Sequence, residues 1–117
     1  MAKSDIKKQR TPQIEVIWNE NVPQATYFKG EGFSIVAEVA KGQYILTRYG
    51  WDGDPEKGET LTVSAKDTQR LMDSLKVKNP DTLIKVLGKK FALKDPHNSY
   101  VKIQASLVRR GIPYKVK

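Results

Sequence analysis

The chain has 117 residues, a net charge of +8 at pH 7 and no cysteine. That length predicts one domain that buries a core without a metal or disulfide, and the missing cysteines exclude disulfides, thiolate catalysis and Cys-ligated zinc together. No apolar run approaches the ~20 residues of a membrane span, and no apolar stretch follows the basic start as it does in a secretory leader. The expectation is a cytoplasmic protein with no membrane contact.

The charge is unevenly spread. Residues 1–10 carry +3, residues 11–64 carry −4 and residues 65–117 carry +9. Excess positive charge gathered on one part of a small domain points to a polyanionic partner, most often nucleic acid, although Lys-rich surfaces also serve solubility alone.

Residues 1–11 read as a disordered basic arm, because Met1 and Ile6 are too few apolar residues to offset ordering. Residues 12–117 read as a single domain. Its first strand pattern runs over residues 13–18, with Ile14, Val16 and Trp18 alternating, and a turn follows over residues 19–23. A short β-prone piece at 25–28 comes next, broken by Gly30 and Gly32. Residues 33–39 and 43–49 alternate strongly and are joined by a tight turn at Ala40-Lys41-Gly42, so they read as a hairpin. Another strand is expected over 59–63.

Helical signals then take over. Ser64 is an N-cap with Asp67 three residues on, where a capping-box carboxylate sits, and Leu71, Met72 and Leu75 form the apolar face of a helix to about residue 76. Asn79-Pro80 opens a second helix, with Leu83, Ile84, Leu87 and Phe91 inward and Gly88 weakening it late. Residues 95–111 offer two readings. Asp95 as N-cap, Pro96 at the first position and Gly111 as stop define a helix. Its wide apolar arc is Tyr100, Val101, Ile103, Ala105, Leu107 and Val108, and Lys102, Ser106, Arg109 and Arg110 lie opposite. Val101, Ile103, Ala105 and Leu107 also alternate at the strand period, which keeps a hairpin reading open. A last strand at 112–116 ends the chain. Strands, a helical block and a returning strand make an α+β fold. The expected architecture is a curved antiparallel sheet or pseudo-barrel with a C-terminal helical block and a closing C-terminal strand.

The sequence offers little catalytic chemistry. His97 is the sole histidine and lacks a second ligand at metal spacing. No nucleophile elbow and no phosphate loop occur. Asp52 and Asp54 are spaced like the first two ligands of a calcium loop, but its twelfth position falls on Val63. The reading is therefore a non-enzyme with no cofactor and no metal. Tyr49 and Trp51, beside the acidic loop, suit stacking on unpaired bases as well as packing on the barrel end. Lys85, Lys89, Lys90, Lys102, Arg109 and Arg110 are the candidate phosphate contacts, in a region that also holds Lys94, Lys115 and Lys117.

The order of elements in a small, basic, cysteine-free chain resembles a PUA-like domain, a curved and partly closed β-barrel with helices at its side. The stretches at residues 46–53 (LTRYGWDG) and 109–116 (RRGIPYKV) resemble the small PrgU-like proteins of enterococcal pheromone plasmids. The resemblance implies a non-catalytic RNA-binding regulator of plasmid genes. The partner expected is therefore nucleic acid, RNA in preference to DNA. A protein-interaction module anchored by Trp18 or Trp51, and a DNA-binding unit built on residues 65–111, stand as the alternatives.

Overall fold

Two dipeptides, Glu20-Asn21 and Lys41-Gly42, reverse the chain with positive φ at both positions (53° and 66°, 53° and 80°). That backbone pattern belongs to the tight two-residue hairpin whose twist matches the strands it joins. In the computed structural model, which describes residues 14–30, 33–49, 58–91 and 96–117, these turns join the first strand to the second and the third to the fourth in one sheet. The strands are β1 (Ile17–Asn19), β2 (Val22–Gly30), β3 (Phe33–Ala40), β4 (Gln43–Tyr49), β5 (Gly58–Val63) and β6 (Lys115–Val116). They lie in chain order, β1-β2-β3-β4-β5-β6, and every pairing is antiparallel. The described sheet is an open meander in which β6 pairs with β5 at one margin and β1 forms the other.

Three helices follow β5: α1 (Ala65–Leu75), α2 (Pro80–Phe91) and α3 (Pro96–Arg109). Their ends follow the sequence signals. The Ser64 hydroxyl accepts the Asp67 amide at 3.2 Å and donates to the Asp67 carboxylate at 2.9 Å. Asn79 Oδ1 accepts the Thr82 amide at 3.1 Å. Gly111, at φ 69°, ends α3, and the Ile112 amide reaches back to the Leu107 carbonyl at 2.9 Å. Residues 100–108 are thus helix, and the hairpin reading is set aside. The predicted cap at Asp95 lies outside the described residues.

Strand alternation builds the core. Ala25, Tyr27, Ile35, Ala37, Val39, Tyr44, Leu46, Leu61 and Val63 are buried on one side of the sheet. Leu71, Met72, Leu83, Ile84, Leu87, Tyr100, Ile103 and Leu107 meet them from the helices, and Ile112 joins the same cluster. α2 approaches β2 closely because residue 88 is glycine. A methyl there would stand 2.8 Å from Tyr27 Cε1 and 3.0 Å from Ile14 Cγ1. The conformational cost of glycine in a helix, about 1 kcal/mol relative to Ala, is accepted at that contact. Tyr27 then donates its hydroxyl to the Ile84 carbonyl at 2.7 Å and accepts from the Tyr44 hydroxyl at 3.2 Å.

Three sequence expectations are corrected. The first ladder strand begins at Ile17, and Ile14 and Val16 are half-buried outside any strand, packed against the core. β2 runs nine residues from Val22, longer than the piece expected at 25–28, with an irregularity in its pairing between Thr26 and Phe28. On α3, Tyr100, Ile103 and Leu107 are buried and Lys102 and Arg109 exposed as expected, but Val101, Ala105 and Val108 face solvent and Ser106 is buried, each the reverse of its expected place on the wheel.

Candidate nucleic-acid interface

Helix periodicity sets which cations look outward. On α2, Leu83, Ile84 and Leu87 are buried, so Lys85 and Lys89, four residues apart, share the exposed side, with Lys90 exposed next to them. On α3, Tyr100, Ile103 and Leu107 are buried, and Lys102 and Arg109, seven apart, share an exposed stripe. α2 and α3 pack against each other, so both stripes belong to one helical layer. α3 contains no Asp or Glu, and α2 has a single one, Asp81, in its first turn. None of these five cations makes an ion pair among the described residues. α3 also exposes Val101 and Val108, at 41% and 65%.

The other predicted contacts go elsewhere. Arg110 is half-buried, and its guanidinium donates to Ser74 Oγ at 2.7 Å and Ser106 Oγ at 3.4 Å, which ties α3 to α1. Burial of Ser106 is explained by that bond. Tyr49 is exposed, but strand parity places it opposite Arg48, on the sheet face away from the helices. The structure does not bring Tyr49 together with the helical cations. Trp51, the acidic loop carrying Asp52 and Asp54, and Lys94 lie outside the described residues, as does the side chain of His97.

Sequence reading missed a cluster at the end of the sheet. The Arg48 guanidinium lies 4.7 Å from the centre of the Tyr100 ring and 3.1 Å from a Glu59 carboxylate oxygen. Arg48 and Glu59 are cross-strand partners in the β4–β5 register, so the ladder itself sets the ion pair. Tyr100 is buried, and its hydroxyl has no hydrogen-bond partner among the described residues. Burial first, and then the neighbouring Glu59 carboxylate, push its phenol well above the ordinary tyrosine range, against the opposing pull of Arg48. The cluster seats the start of α3 on the sheet. Register would have paired 48 with 59 in sequence; nothing local linked either to residue 100.

The first turn of α1 holds a second charged group. The Ser64 hydroxyl first, against the opposing effect of desolvation, and then Arg70, whose guanidinium lies 2.9 Å from Asp67 Oδ1, keep the Asp67 carboxyl below its usual range. Among the described residues no three His, Cys, Asp or Glu side chains gather in a way that could hold a metal ion. No described helix is long and apolar enough to cross a membrane.

Fold and surface together define a class: a small α+β protein whose open antiparallel meander is backed by a helical layer, basic on its outer side. No protein-family model, curated protein or solved structure matches the chain.

Proposed function

We propose that this protein binds nucleic acid without catalysing a reaction, RNA in preference to DNA, by docking its helical layer on the phosphate backbone. The observation that carries the proposal is the set of five outward cations on α2 and α3, Lys85, Lys89, Lys90, Lys102 and Arg109, on helices with a single carboxylate between them. Arginine and lysine on such a surface gain affinity by releasing condensed counterions from the polymer. The preference for RNA rests on the resemblance of residues 46–53 and 109–116, since Tyr49 lies on the opposite face from the helical cations. A PUA-like, PrgU-like regulator in the cytoplasm belongs to the same proposal, through the resemblance of residues 46–53 and 109–116.

The test is fluorescence anisotropy of labelled single-stranded RNA, with duplex DNA in parallel, across a salt series. If all five cations reach phosphates, log K falls with log salt at a slope of about −3.5, about a hundredfold in affinity for a fourfold rise in salt. Lys102→Gln with Arg109→Gln lowers the slope to about −2, because two of five contacts are lost. Absence of binding to either polymer at low salt and micromolar protein overturns the proposal. One observation favours a second reading. Ile17 and Trp18 are each 59% exposed on the marginal strand β1, as an aromatic anchor for a protein partner would be.

A further inference from the structure

β1 is one margin of the sheet, and among the described residues it has a neighbouring strand on one side only. Proline fixes which of its backbone groups are used. Trp18 lies opposite Pro23, and a residue without an N–H cannot form the kind of pair that exchanges two hydrogen bonds. Trp18–Pro23 is therefore a non-bonded pair, between the bonded pairs Ile17–Gln24 and Asn19–Val22. The N–H and C=O of Trp18 point away from β2, to the open side. Directly opposed residues share a face, and Pro23 is buried, so the Trp18 side chain projects on the core side of the sheet.

Sheet margins are normally guarded by lysine, proline, a bulge or a covering element. The opposite margin follows that rule: β6 is two residues long, holds Lys115 and is followed by Lys117. β1 does not. Residues 14–19 (IEVIWN) contain no lysine, arginine or proline, and Ile17 and Trp18 are each 59% exposed. A cavity of about 390 Å³ opens beside the same stretch, lined by Ile14, Glu15, Val16 and Lys85. Sites for drug-sized ligands start near about 300 Å³, so this one has room for an indole. Glu15 and Glu20 flank β1 while Lys85 stands on α2, and none of the three makes an ion pair among the described residues.

We propose that β1 pairs antiparallel with β1 of a second copy of this chain, about a two-fold axis at Ile17, so that one sheet continues through both molecules. The open backbone groups of Trp18 call for a strand, and the side chains call for this one. With Ile17 against Ile17, Val16 of each copy lies opposite Trp18 of the other, and each indole enters the cavity walled by the other copy's Val16. Glu15 falls opposite Asn19, so no two carboxylates face each other. Glu20 of one copy falls opposite Ile14 of the other, beside Lys85, which places an acid against a base twice over. A patch that carries both an anchor and its cavity, and both signs of charge, is complementary to itself, as a two-fold interface requires. Lys85 then belongs to the interface, and the other four outward cations remain for phosphate. The inference stands apart from the nucleic-acid reading, which the salt series tests separately.

Short strands make a small interface of the weak class, so the experiment is sedimentation equilibrium of the full chain from about 10 μM to about 1 mM. Amide hydrogen exchange is followed over the same series. The expected result is a monomer–dimer equilibrium in which the Trp18 amide gains protection as the dimer forms, while the Asn19 amide, already bonded to β2, changes little. Trp18→Ala raises the dissociation constant at least about thirtyfold, as loss of a central aromatic anchor does. Ile17→Lys sets two like charges directly opposite each other and raises it at least about tenfold. Both side chains are exposed, so the amide spectrum away from β1 stays that of the parent protein at low concentration. A chain that remains monomeric throughout overturns the proposal and returns Trp18 to a foreign protein partner. A dimer whose Trp18 amide exchanges as fast as in the monomer, or that both variants leave intact, overturns it as well, because its interface lies elsewhere.

Discussion

Thr68→Val is expected to destabilise the fold by about 2–6 kcal/mol, with almost no change in side-chain volume. Thr68 is 2% exposed, and its hydroxyl sits between two backbone groups of the sheet. It accepts the Tyr44 amide at 3.0 Å and donates to the Val63 carbonyl at 3.2 Å. Tyr44 and Val63 face each other across the β4–β5 ladder, so one side chain of α1 bridges the two strands where the helix begins. Valine fills the space and leaves both groups buried and unpaired, at about 1–3 kcal/mol each. Against a total stability of about 5–15 kcal/mol, that is a large fraction. Thr68→Ser keeps the hydroxyl and loses one methyl, so its expected cost is about 1 kcal/mol. Urea unfolding of the two variants measures the difference. Equal destabilisation by Val and Ser would show that packing, not the bridging hydroxyl, holds α1 to the sheet.

The second large effect is alkaline unfolding. Tyr44 donates to Tyr27, and Tyr27 donates to the Ile84 carbonyl, so each phenolic proton is in use inside the core. Burial is the main cause that holds both phenols protonated well above the ordinary range; at Tyr27 the neighbouring Tyr44 adds to it, and at Tyr44 the bond to Tyr27 partly offsets it. In the unfolded chain both ionise near pH 10. Stability from these groups is therefore complete below about pH 10 and declines above it, where the unfolded state has released two protons that the native state retains. Tyr100 is held above the ordinary range as well, so the expected slope is about 4 kcal/mol per pH unit, three groups at about 1.4 each. Urea midpoints between about pH 8 and pH 11, with phenolate absorbance followed in parallel, check it. Tyr27→Phe removes one of the three titrating groups and lowers the slope by about a third. A native state whose Tyr27 and Tyr44 ionise near pH 10 without loss of stability would contradict the buried hydroxyl chain.

Much of this architecture was legible because local signals and tertiary packing agree. Residues 33–49 alternate cleanly, and Lys41-Gly42 accepts the left-handed turn that joins the two strands. Ser64 and Asn79 cap their helices with their own side chains, and Gly111 ends α3. Where the reading failed, long-range contact decided. Ile14 and Val16 alternate like a strand, yet Ile14 lies against Gly88 and neither enters the ladder. The apolar arc of α3 is wider than the stripe it buries, so Val101, Ala105 and Val108 are left outside. Ser106 turns inward because Arg110 reaches it on the way to Ser74. The basic surface was visible as a charge imbalance, because charge counts need no geometry. Its membership was not: Arg110 is diverted to two serines, and strand parity puts Tyr49 on the face opposite the helices.

The meander also fixes an order of events in time. β1 to β4 are joined in pairs by two-residue turns or short connections, whereas about fifty residues separate Val63 from Lys115. Closing a loop of that length costs about 3 kcal/mol more in chain entropy than closing a two-residue turn. β6 returns only two strand residues and the paired Thr60 and Lys117 bonds for that cost. It therefore zips onto β5 after the helices have brought the C-terminal end near, and it is the first piece of sheet to peel away. Pulse-labelled hydrogen exchange during refolding should find the Lys117 amide protected after those of β3 and β4. Simultaneous protection would mean that the sheet condenses in one step. Until β6 arrives, the outer edge of β5 is bare, and the refolding chain passes through a state with an open strand margin that can pair with a neighbour of its own kind.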